Sequence, residues 1–98
     1  MKLVYLEEKV SNIGVVYKIQ LGTYLESMLD ADIFKEMEVE EVLVHGTYKY
    51  FASAFDSKLE ADKQKMKFRS GKFPGAFIVA FYQGKQISVK EALNLQNK

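Results

Sequence analysis

The sequence predicts an α+β domain built from two strand–helix–strand halves. The order is βαββαβ: a four-stranded antiparallel sheet, helices on one face, and a short extra C-terminal helix. Three observations lead there. One pattern occurs twice, Tyr17-Lys18-Ile19-Gln20-Leu21-Gly22-Thr23-Tyr24 being echoed by Lys49-Tyr50-Phe51-Ala52-Ser53-Ala54-Phe55. Each copy is an alternating strand that runs into a small residue and an aromatic before a helix-starting stretch. The second copy is followed by Ala76-Phe77-Ile78-Val79-Ala80-Phe81-Tyr82, another strand. Finally, 98 residues make one domain, which buries roughly two-thirds of its unfolded surface.

The elements follow in order. Residues 1–13 read as a strand or tail, with Leu3, Val4, Tyr5 and Leu6 apolar and most of the rest polar. Residues 1–14 are therefore an N-terminal extension to a domain spanning 15–95. The first strand covers 15–21; its alternation sets Val15, Tyr17, Ile19 and Leu21 on one face and Val16, Lys18 and Gln20 on the other. Gly22 is expected to end it. Asp30 is a candidate N-cap for a short helix to residue 37, with Ile33, Phe34 and Met37 as its apolar side. The second strand covers 39–45, and Gly46-Thr47 turns the chain into a third over 48–54, with Tyr48, Tyr50 and Ala52 opposite Lys49, Phe51 and Ser53.

Ser57-Lys58-Leu59-Glu60 has capping-box spacing and starts a helix that stops near Gly71. Ala61 and Phe68 form its expected inner side. Leu59 and Met66 point away and are expected to pack on a terminal segment. Pro74-Gly75 precedes the fourth strand, 76–82, and Gln83-Gly84-Lys85 turns again. Ser88-Val89-Lys90-Glu91 is a second capping box, opening a closing helix to residue 95.

Composition narrows the chemistry. There is no cysteine, so neither a disulfide framework nor thiol catalysis is possible. His45 is the only histidine; it excludes a His-rich metal site within one chain and disfavours Ser-His-Asp chemistry. Glu7-Glu8 and Glu40-Glu41 are neighbours, which on strands point apart and make no acid–base pair. No nucleotide loop, zinc spacing or nucleophile motif occurs. The expectation is a protein that is not an enzyme, with no metal and no cofactor. Net charge is +1, but residues 1–48 carry four Lys/Arg against nine Asp/Glu, a net of −5, and residues 49–98 carry ten against four, a net of +6. The plain reading of Lys58, Lys63, Lys65, Lys67 and Arg69 is a solvated helix face. No apolar run approaches the ~18 residues of a membrane span, and Met1–Leu6 is too short for a signal peptide before Glu7-Glu8-Lys9 interrupts it.

These motifs, in series, resemble the SPOR (sporulation-related repeat) domain. Ile19-Gln20-Leu21-Gly22-Thr23-Tyr24 is similar to its first half-repeat. The run from Tyr48 to Phe55 is similar to its second, with Ser53 where the family usually has glycine. The stretches from Ser57 to Gly71 and from Pro74 to Phe81 resemble its second helix and last strand, and Tyr82 to Leu93 the tail of SPOR-like domains in Bacteroidetes-type envelope proteins. The resemblance covers residues 15–93. It implies a ferredoxin-like fold that binds septal peptidoglycan, especially glycan strands stripped of stem peptides, through the open sheet face. It also implies other envelope proteins as partners, and a place in the periplasm or cell envelope if this is a domain of a longer exported protein. By position, Gln20 matches the signature glutamine, Lys49 a common basic position and Phe77 an apolar sheet position.

Alternation alone predicts the same face. Lys18, Gln20, Lys49, Phe51, Phe77, Val79 and Phe81 are expected to emerge together from the helix-free side. An aromatic ring covers the C–H face of a sugar, Gln20 exchanges hydrogen bonds with hydroxyl or acetamido groups, and a lysine meets a carboxylate or carbonyl. The same set admits an ordinary reading, in which the rings are covered and the lysines merely solubilise. A protein-interaction or self-association module using a sheet edge or Leu59 and Met66 is the alternative from another class. An RNA-recognition layout is a third: His45 to Phe51 faintly matches its strand motif, but alternation turns Tyr48 and Tyr50 inward, and a net charge of +1 offers little phosphate affinity. No nucleic-acid partner and no direct membrane insertion are expected.

Overall fold

The computed structural model describes residues 2–3, 14–35 and 37–97; of the strand or tail expected over 1–13, all but residues 2–3 lies outside them. The elements are β1 (Lys2–Leu3), β2 (Val15–Tyr24), β3 (Glu38–Val44), β4 (Thr47–Phe55), α1 (Lys58–Arg69), β5 (Phe77–Tyr82), β6 (Lys85–Ile87) and α2 (Val89–Gln96). They make an α+β fold with a sheet in the order β1-β3-β4-β2-β5-β6. β2 is central and antiparallel to both β4 and β5. β3 pairs antiparallel with β4, and β6 with β5. β1 adds two residues parallel to β3 at one edge.

Periodicity predicts four strands; the described residues form a sheet of six. β1 and β6 are two and three residues long, too short to show alternation. β6 exists because Gln83 (φ 51°) and Gly84 (φ 82°) both take left-handed backbone, which returns the chain tightly against β5 with Tyr82 opposite Lys85. His45 (φ 49°) and Gly46 (φ 80°) do the same between β3 and β4.

The first predicted helix, 30–37, is a single 3-10 turn, Asp32–Phe34. Asp30 does not cap it; Ala31 holds that position with no side-chain bond. Gly22 does not end the first strand, because β2 runs on to Tyr24. Gly22 instead leaves room for a ring: a Cβ there would lie 2.9 Å from Tyr24. Tyr24 meets Phe34 and Tyr50 edge-on.

Both helices pack on one face. Val15, Tyr17 and Ile19 of β2 share a core with Tyr50 and Ala52 of β4, Ala80 of β5, Ala61 of α1 and Ala92 of α2. The alanines let the helices approach closely. Phe68 is half-buried against this core, as its spacing from Ala61 requires. Leu59 and Met66 remain 64% and 56% exposed, so the C-terminal segment does not cover them as expected; most of the N-terminal one lies outside the described residues. α2 forms both halves of its capping box. At α1, Ser57 accepts from the Glu60 N–H, while the Glu60 carboxylate faces Lys63 at 3.7 Å.

Ser53 sits at a bulge, where the β2–β4 register slips between Lys18 and Ile19, with φ 63°. This places a side chain in backbone that favours glycine. Left-handed backbone costs a non-glycine residue roughly 1–2 kcal/mol, offset in part by the greater freedom of glycine when unfolded. We expect Ser53→Gly to stabilise the fold by about 0.5 kcal/mol, a rise of about 2–4 °C in Tm by calorimetry.

Candidate functional site

The helix-free face carries every residue that alternation assigned to it. Register places Gln20 between Phe51 and Phe77, Lys18 opposite Val79, and Phe81 opposite Val16. Yet the face is not the open platform expected. Lys18, Gln20, Phe51 and Val79 are only 5%, 6%, 3% and 5% exposed. Lys49 and Phe81 are half-buried, and Phe77 alone stays largely open at 44%.

Contacts within the face explain much of this. Phe51 meets Phe81 edge-on, 5.9 Å between centroids, and the Lys18 ammonium lies 5.0 Å from the Phe81 centroid. The same ammonium pairs with Glu40 at 2.9 Å. The Gln20 amide donates to the Thr23 hydroxyl at 2.9 Å. Gln20 is thus committed to its own chain and is no longer the freely presented amide that the sequence suggests.

A cleft of about 300 Å³ takes the place of a platform. Phe51, Phe81 and Lys18 line it from β4, β5 and β2; Glu40, Val42 and Val44 from β3; Lys49 from β4; and Gln86 from β6. Four of the seven predicted residues line it: Lys18, Lys49, Phe51 and Phe81. Gln20, Phe77 and Val79 share the face but not the cleft. Sequence reasoning missed Glu40, Val42, Val44 and Gln86. The first three were findable, because alternation over residues 39–45 puts them on one side. Gln86 lies on a strand too short to see.

Glu40 and Glu41 point apart as their adjacency requires. Glu40 lines the cleft, while Glu41 accepts from the Tyr50 and Ser27 hydroxyls on the helix side. Tyr50 also accepts from the Met28 N–H. It is fully buried in the main core, so it offers no ring for stacking a base. His45 is exposed at its turn. Among the described residues, no cluster of three or more His, Cys, Asp or Glu is placed to hold a metal, and no helix is long and apolar enough to cross a membrane.

Burial pushes the Tyr17 and Tyr50 hydroxyls above their ordinary 10.0, and for Tyr50 the hydrogen bond to Glu41 adds to it. Groups that hold their protons more firmly when folded stabilise fully below the unfolded value, and that stability is lost as pH rises through the folded one. We expect the urea midpoint to fall as pH climbs above about 10, with a shallower fall in Tyr50→Phe.

Comparison with protein-family models, with curated proteins and with solved structures returned no match to this chain.

Proposed function

We propose that this chain is a non-catalytic glycan-binding module of the bacterial cell envelope, of SPOR type, taking a peptidoglycan glycan strand on the helix-free face. The carrying observation is the cleft: two phenyl rings, an amide, two ammonium groups and a carboxylate converge around about 300 Å³, the lower end of small-ligand sites. That volume suits a sugar ring rather than a long segment. Phe81 supplies an apolar wall for the C–H face of the ring, while Gln86 and Lys49 supply polar contacts at its edge. Nothing in this arrangement needs a perturbed ionisation, so it suits recognition better than turnover.

The strand order supports the ferredoxin-like part of the reading. β2 and β3 connect across β4, and β4 and β5 connect through α1 across β2. This order supports a split βαβ reading of the four central strands, in which the first crossover is shortened to a 3-10 turn. Ser53 also fits: it has the left-handed backbone of the position where the resembled family keeps glycine. The reading places the module in the periplasm, as part of a longer exported protein.

Co-sedimentation with purified sacculi tests it. We expect the folded protein to be retained on sacculi treated with an amidase, and retention to fall when Phe81 is replaced by Ser. A folded protein that stays in the supernatant would end this reading.

The exposed pair Leu59 and Met66 favours a second reading, a protein-interaction surface on α1. A concentration-dependent dimer in sedimentation equilibrium, lost in Leu59→Lys/Met66→Lys, would support it.

A further inference from the structure

Among the described residues, five large apolar side chains stand exposed: Leu25, Leu43, Leu59, Met66 and Phe77. Phe77 belongs to the face already described. The other four form two pairs, in surroundings of opposite charge. Leu59 and Met66 lie seven apart on α1 and share one side with Lys63 between them. α1 carries five Lys/Arg against two Asp/Glu, a net of +3. Lys67, exposed beside Met66, has no ion pair among the described residues.

The second pair lies toward the other end of β4. Leu43 of β3 is opposite Tyr48 of β4, and Tyr48 is opposite Tyr24 of β2, the residue before Leu25. The Ser27 hydroxyl donates to Glu41 at 2.7 Å, which folds this connection back to within two residues of Leu43. Leu25 and Leu43 are 82% and 61% exposed. Residues 25–44 carry one lysine against seven Asp/Glu, a net of −6, and Glu26, Asp30, Asp32 and Glu38 among them are exposed. α1 opens just past Phe55, roughly 23 Å along β4 from Tyr48, so Leu43 and Leu59 do not cover one another within one chain.

An apolar pair among cations and an apolar pair among carboxylates complement each other between two copies. We propose that the chain associates with itself head-to-tail, α1 of one copy seating on the Leu25–Leu43 end of the next. The inference rests on the second reading above, α1 as an interaction surface, and names both the partner and the partner's surface. The two surfaces differ, so the contact is heterologous, and a pair of chains still has one surface of each kind free. Two apolar side chains on each side make a contact smaller than a stable interface, so the association is weak and grows with concentration.

Sedimentation equilibrium of the whole chain tests this. At low salt the weight-average mass is expected to rise past that of two chains as concentration approaches millimolar. Association should be on the order of tenfold weaker at about 1 M salt, where charges are screened beyond about 3 Å. Leu59→Ser/Met66→Ser removes one surface and Leu25→Ser/Leu43→Thr the other. Each variant alone should be folded by circular dichroism and monomeric. Mixed in equal amounts, the two variants keep one intact surface of each kind, so they should form pairs and grow no further. A closed dimer that Leu59→Ser/Met66→Ser abolishes and Leu25→Ser/Leu43→Thr leaves intact would overturn the inference while α1 stays an interaction surface. A mixture of the folded variants that remains monomeric, or association indifferent to salt, would also overturn it. A wild-type chain that is monomeric up to millimolar concentration would overturn it together with any self-association through α1.

Discussion

Phe34→Ala should destabilise this domain by about 3–5 kcal/mol, the range for removing a phenyl ring from a close-packed core. Phe34 is fully buried although it belongs to a three-residue 3-10 turn. Its ring stacks on Tyr50 at 4.5 Å and on Phe73 at 5.7 Å, and meets Tyr24 edge-on at 6.1 Å. It thereby fills the space over β4 that a full helix between β2 and β3 would otherwise cover. Met28, Leu29, Ile33 and Met37 of the same connection also pack against the core, so the surroundings are held and the cavity has little means of collapsing. Since total stability of a small domain is about 5–15 kcal/mol, the variant should lose a large share of it. Urea unfolding followed by circular dichroism would show this as a lower midpoint with an unchanged slope. A loss under 1 kcal/mol would mean that the turn is not an anchor of the core.

Glu40→Ala should cost about 2 kcal/mol. Breaking a fully buried pair costs about 3–5 kcal/mol; the figure here is smaller because the Glu40 side chain is 18% exposed and water relieves part of the loss. Replacing both members by apolar residues, Lys18→Met with Glu40→Leu, should recover most of it, because no desolvated ammonium then remains. The double-mutant cycle isolates the pair from the packing of each side chain. This matters for the cleft as well as for stability. The pair holds the Lys18 ammonium beside the Phe81 ring and so shapes the wall against which a sugar would rest. If the double variant loses the sum of what Lys18→Met and Glu40→Leu lose singly, the charge pairing contributes nothing and packing alone shapes that wall.

Much of the fold is legible from side-chain period. Val15, Tyr17 and Ile19 are core, and Lys18 and Gln20 are opposite, because a strand in a sheet alternates without exception until a bulge intervenes. The capping residues Ser57 and Ser88 mark both helices for a similarly local reason. The parts that period does not reach are set by longer-range packing. A 3-10 turn stands where a helix was expected, with Phe34 drawn between Tyr50 and Phe73. β6 arises from a two-residue turn at Gln83-Gly84, which brings three further residues against β5.

The site divides in the same way. Its direction was readable, and all seven expected residues lie on the helix-free side. Its depth was not. Alternation states which way Phe51 points but not that it will turn edge-on to Phe81, nor that Lys18 will reach Glu40 on β3, two strands away. Those contacts depend on strand order and sheet twist, and they convert a presumed platform into a cleft. Gln20 illustrates the difference: its family-like position predicted a presented amide, and its bond to Thr23 keeps that amide within the chain.

The most direct measurement is a two-dimensional amide NMR titration of the labelled protein with a tetrasaccharide of alternating N-acetylglucosamine and N-acetylmuramic acid. Binding in the cleft predicts saturable shifts clustered at Lys18, Glu40, Val42, Lys49, Phe81 and Gln86, with the amides of α1 unmoved. Shifts confined to α1 around Leu59 and Met66, or a spectrum unchanged at millimolar ligand, would contradict it.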